Sequence, residues 1–71
     1  MITVTVNDRL GTKAAIKCFA SDPLPLFKAQ VAARTGRRPH EILLKRQGER
    51  PLTGNRTLDD YLISDGVQLD L

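Results

Sequence analysis

A single stretch of this sequence carries helical periodicity, and alternating runs lie on both sides of it. In "LPLFKAQVAARTG" the apolar residues Leu24, Phe27 and Val31 recur at i, i+3 and i+7, on one helical face. Ser21-Asp22-Pro23 precedes the stretch as a start signal. Asp22 is placed to cap the free N–H groups, and Pro23 suits the first helical position, where no N–H is needed. Pro25 is still tolerable in the first turn, and Gly36 is a good closing residue. A lone helix with one apolar stripe must bury that stripe against another element, and here only strands are on offer.

The strands read as follows. Ile2, Val4 and Val6 alternate with Thr3 and Thr5, a half-buried strand rich in β-branched residues. Asn7-Asp8-Arg9-Leu10-Gly11 supplies turn chemistry, with Gly11 able to take positive φ. Ala14, Ile16 and Cys18 alternate with Lys13, Ala15 and Lys17, which predicts a second strand paired to the first as a hairpin. Beyond the helix, Pro39 opens a short turn, Ile42-Leu43-Leu44 reads as a third strand, and Leu52 falls on a short one. Thr57 is placed to cap a helical turn that carries Leu58 inward, and Tyr61 and Ile63 return to the core. Asp65-Gly66 then leads into a last strand with Val67, Leu69 and Leu71 on one side.

This order predicts an α+β fold: a β-grasp, or ubiquitin-like, roll with a mixed sheet of four to five strands and one crossover helix. Residues 1–71 make one domain, near the lower limit for folding without staples. With one cysteine, Cys18, the chain can form neither an internal disulfide nor a cysteine-based zinc site, which suits a reducing compartment. The start, MITVTVNDR, enters a strand directly and lacks the pattern of a secretory signal. No run approaches the roughly 20 apolar residues of a membrane span.

Function classes can be narrowed in the same way. His40 lies in a polar turn between Pro39 and Glu41 and reads as a solvated side chain. Cys18 ends an apolar run and reads as a small core residue. Lys17 beside it points to the opposite face, so it cannot activate the thiol. Asp59-Asp60 read as surface acids of a capped turn. No catalytic constellation, metal-ligand cluster or glycine-rich phosphate cradle is present in the sequence, and no enzyme and no cofactor are expected. The charge is 11 Lys and Arg against 8 Asp and Glu. The densest basic group is Arg34, Arg37 and Arg38, followed by Lys45, Arg46 and Arg50. With only Phe19, Phe27 and Tyr61 as aromatics, this suits weak contact with an RNA backbone rather than sequence reading.

The opening "MITVTVNDRLGTKAAIKC" is more specific than the fold pattern. Met-Ile, the NDRLG element, Lys13, Lys17-Cys18 and Asp22 resemble the splicing-associated ubiquitin-like modifiers, the "homologous to ubiquitin" family. "AARTG" at 32–36, Ile42, Leu44, "LDDY" at 58–61 and Asp65-Gly66 extend the resemblance over nearly the whole chain. It implies the ubiquitin fold without a diglycine tail and non-covalent binding in pre-mRNA splicing, in the nucleus and cytoplasm. The sequence departs from the family in lacking the terminal tyrosine pair, in Ser64 at a usual histidine, and in the aromatic-free stretch 45–54.

The resemblance also assigns a binding role to Asp22: an acidic residue there pairs with an arginine on a short helical motif, called HIND, of spliceosomal proteins. A carboxylate has acceptor sites enough to cap a helix and receive an arginine together. Phe19, at the strand–helix junction, is either a core plug or part of an apolar groove with Ala20, and Lys17 completes the expected partner-binding set. A monomer binding an amphipathic helix is the expectation. The alternative is a conjugatable ubiquitin-like modifier, or a generic β-grasp interaction domain, whose tail lies beyond Leu71. Against conjugation, the sequence has no Gly-Gly, and Leu71 is expected to be packed in a strand.

Overall fold

The computed structural model describes residues 1–8 and 10–71; Arg9, within the NDRLG turn, lies outside the described residues. β1 (Ile2–Asn7) and β2 (Lys13–Cys18) form the expected antiparallel hairpin, with Ile2 opposite Cys18 and Asn7 opposite Lys13. Asp8 organises the connection: its Oδ1 accepts the N–H of Leu10 at 2.8 Å and that of Thr12 at 2.9 Å. α1 (Leu24–Thr35) follows and ends at Gly36, whose φ of 74° is the left-handed conformation that closes a helix. β3 (Gln68–Asp70) then lies parallel to β1, with Thr5 opposite Gln68, so the sheet order is β2-β1-β3.

The core is the space between this sheet and α1. Val4, Val6, Ile16 and Cys18 come from the hairpin, Leu24, Phe27, Val31 and Ala32 from the helix, and Leu69 from β3. Ile42, Leu44, Leu58 and Ile63 complete it from the connecting segments. All three residues of the predicted helical stripe are fully buried. Thr57 stands one residue before its expected place: Leu58 holds the cap position of the next turn, without a side-chain cap, and Thr57 contributes a single bond. Its Oγ1 accepts the Asp60 N–H at 3.3 Å, at the start of a 3-10 turn over Asp59–Tyr61 that leaves Leu58 buried. No helix is long and apolar enough to cross a membrane among the described residues.

Two further expectations are corrected. The described residues form three strands rather than four to five. Ile42 and Leu44 are buried and Leu43 is exposed, so the alternation of a strand is present, but the pairing is reduced to single points. Leu44 C=O accepts the Leu52 N–H at 2.7 Å, and Lys45 exchanges hydrogen bonds with Asp70 at 3.0 and 2.7 Å. The turn closed by Glu49 N–H on Arg46 C=O, together with Pro51, which has no N–H, leaves little ladder to extend.

The second correction concerns the helix start. Pro23, not Asp22, stands at the cap position, and no side chain caps α1. Few donors are left to cap. The Leu24 N–H donates to Arg56 C=O at 2.8 Å, Pro25 has no N–H, and the Phe27 N–H donates to Pro23 C=O at 3.1 Å. The Asp22 carboxylate turns the other way, toward β2.

Candidate partner-binding surface

The two sides of β1 decide what β2 presents. In an antiparallel pair, alternate residues aim their N–H and C=O at the partner, and the others aim away. Thr3, Thr5 and Asn7 aim toward β3 and the turn before it. The Thr5 N–H donates to Val67 C=O at 3.0 Å, the Thr3 C=O accepts the Gly66 N–H at 2.9 Å, and the Asn7 C=O accepts the Leu71 N–H at 2.8 Å. The Thr3 N–H in turn donates to Asp65 Oδ1 at 2.8 Å. Their partners on β2 are Lys17, Ala15 and Lys13. These three therefore direct their backbone groups outward, along the free edge of the sheet.

The next residue in that parity is Phe19, and there the edge is closed. The Phe19 N–H donates to Asp22 Oδ2 at 2.9 Å, and the Asp22 N–H returns to Phe19 C=O at 3.0 Å. The turn is fixed from its other side too: Asp22 C=O accepts the Leu58 N–H and Ala20 C=O accepts the Asp59 N–H, both at 2.9 Å. Asp22 is thus held by backbone bonds on two flanks. Its carboxylate spends one oxygen on Phe19, and the other has no protein donor among the described residues.

Around this carboxylate lie the other expected binding residues. Phe19 is 52% exposed, which removes the core-plug reading and leaves an aromatic ring at the surface. Ala20 is half-buried, and Lys17 is exposed on the outer face of β2. Neither Lys17 nor Asp22 belongs to an ion pair among the described residues. Cys18 is buried in the core as expected, on the face opposite Lys17. Burial pushes its thiol pKa above the ordinary value, and the Asp22 carboxylate adds to the rise, against a smaller pull from the N-terminal ammonium. A protonated, buried thiol is a packing group.

Sequence reasoning missed a groove beside this site. It runs between β2 and α1 and is lined by Ala15, Ile16, Lys17, Gln30, Ala33 and Arg34. Arg34 spans it, with Nη1 donating to Ala15 C=O at 3.3 Å. By sequence Arg34 groups with Arg37 and Arg38, but the helix ends between them at Gly36 and Arg34 belongs with β2. A signal was available: Ala15 sits between two lysines on the solvent face of β2, where a small apolar residue leaves the edge approachable. His40 and Asp59-Asp60 are exposed, and no group of three or more metal-ligating side chains occurs among the described residues.

Comparison with known proteins gives close relatives. Over 71 residues the chain is 45% identical to the ubiquitin-like modifier hub1 of Schizosaccharomyces pombe, covering 100% of this chain and 96% of that protein. It is 39% identical to the ubiquitin-like modifier HUB1 of Saccharomyces cerevisiae, with the same coverage. It is likewise 39% identical, over 74 residues, to ubiquitin-like protein 5 of Drosophila melanogaster, covering 96% of it. No family model matches the chain.

Proposed function

The chain belongs to the Hub1 family of ubiquitin-like proteins, and from that premise we propose that it is a non-covalent interaction module rather than an enzyme. Its partner is an amphipathic helical motif, of the HIND type, carried by spliceosomal proteins in the nucleus and cytoplasm, and its effect is to modulate pre-mRNA splicing. The carrying observation is the Asp22 carboxylate. It is anchored through Phe19 by one oxygen, has the other open, and lies beside an exposed aromatic ring.

An arginine on the partner meets that open oxygen in a charge-assisted hydrogen bond. Such an exposed pair contributes only about 0–1 kcal/mol by itself. The apolar face of the helix, laid on Phe19 and Ala20, supplies most of the affinity, and Lys17 receives an acidic or carbonyl group at the flank. The test is calorimetric titration of the purified monomer with a HIND-type helical peptide in the absence of ATP and conjugating enzymes. Saturable binding that weakens when the peptide arginine becomes alanine supports the reading. Binding indifferent to that arginine, or interaction seen only as a covalent adduct that survives denaturant, overturns it.

A further inference from the structure

We infer that the free edge of β2 is a second docking surface, which takes an extended acidic segment of a partner protein as an added strand. Three observations carry this. The N–H and C=O groups of Lys13, Ala15 and Lys17 face outward, and among the described residues the only protein group on them is the Arg34 guanidinium at Ala15 C=O. Alongside them the groove floor of Ile16 and Ala33 is apolar. The charged side chains around it are all cationic: Lys13 and Lys17 on the outer face of β2 and Arg34 across the groove.

An added strand matches each feature. Its backbone continues the ladder at Ala15, after Arg34 has let go of that carbonyl. Its side chains alternate, so every second one faces α1 and packs over Ile16 and Ala33. The others lie on the outer face beside Lys13 and Lys17, where carboxylates fit. Lysines on an edge normally keep uncharged strands away. Here they reject neutral and basic segments and leave an acidic one as the accepted occupant. Asp22 sets the limit of the surface, because its carboxylate already holds the Phe19 N–H. The inference does not rest on the helical-motif reading, with which it shares only Lys17.

The probe is a short peptide of alternating valine and glutamate, with an alternating valine–lysine peptide and a single-stranded RNA as comparisons. Amide hydrogen exchange is followed by NMR on the whole domain. Expected are slowed exchange at Ala15 and Lys17 with the valine–glutamate peptide alone, and affinity about fivefold lower for Lys13→Glu, the scale of one exposed ion pair made repulsive. Asp22→Asn should leave this binding unchanged, which separates the surface from the helical site. Binding without protection at those amides, equal protection by the lysine peptide, tighter binding of RNA, or equal loss in Asp22→Asn would overturn the inference.

Discussion

The phenol of Tyr61 occupies the space above Gly54 that a side chain would need: a Cβ placed on Gly54 lies 2.8 Å from the Tyr61 hydroxyl oxygen. That hydroxyl donates to Thr53 C=O at 2.6 Å and accepts the Arg56 N–H at 3.3 Å, closing the loop 53–56 on the ring. Gly54 also has a φ of 99°. Gly54→Ala therefore meets a contact and an unfavourable backbone conformation together, and should destabilise the domain by about 1–3 kcal/mol. Urea denaturation checks this. In a double-mutant cycle, Tyr61→Phe should recover the part due to the contact, so the double variant costs less than the sum of the two singles.

Asp22→Asn separates charge from structure. Asn keeps an oxygen for the Phe19 N–H but loses the negative charge. The melting temperature should stay near wild type, while binding of an arginine-bearing helix falls by roughly fivefold or more and loses part of its salt dependence. Asp22→Ala removes the acceptor as well, and should cost a further ~0.5–1.5 kcal/mol of stability. Unchanged binding in the Asn variant at low salt would restrict Asp22 to closing the turn.

Phe27 is fully buried at the centre of the helical stripe. Phe27→Ala should cost about 3–5 kcal/mol. A domain of this size has roughly 4–11 kcal/mol to lose. Thermal unfolding should thus move down by tens of degrees, or the variant should be unfolded at 25 °C by circular dichroism.

Cys18 gives a pH dependence. Its folded-state pKa is raised, first by burial and then by Asp22. The folded protein therefore holds the proton where the unfolded chain has released it. The contribution is fully present below the unfolded value of about 8.5, and is lost as pH rises toward the folded-state value. Denaturation midpoints followed from about pH 7 to 10 should fall more steeply for wild type than for Cys18→Ala. A steeper fall in the alanine variant would reverse the sign and refute the assignment.

Leu62 is the one non-glycine residue with positive φ, 61°, among the described residues, and its side chain is 77% exposed. The Arg46 guanidinium holds this conformation by donating to the carbonyls of Tyr61 and Leu62. Leu62→Asn fits the same backbone with less strain and loses no packing, so it should stabilise the fold by up to about 1 kcal/mol. Urea midpoints decide it.

The helix and hairpin were legible because periodicity records which side of an element is buried. Leu24, Phe27 and Val31, and Val4 and Val6, needed nothing else. Ile42-Leu43-Leu44 shows the limit of that signal: alternation reports burial, whereas a ladder also needs a partner of matching length. The direction of the Asp22 carboxylate is not legible in the sequence, for a related reason. Asp-Pro before a helix reads the same whether the carboxylate points forward or back. The choice is made by residues far along the chain, where Arg56 takes the Leu24 N–H and Leu58 takes the Asp22 carbonyl. Phe19 left both readings open, and only its exposure decides between them. The β2 groove depends on which strand lies at the edge, and that follows from β3 pairing with β1.

The same pairing governs how the molecule can be made. During synthesis β1 is made well before the strand that completes it: among the described residues one flank of it is satisfied by residues 65–71, with Thr3 waiting for an acceptor 62 positions away. The hairpin and helix can form while the chain is still tethered, but the sheet cannot close around its own first strand until translation has passed β3. The complete sheet therefore forms only once residues 65–71 are free to pair, and until then one flank of a β-branched strand has no partner.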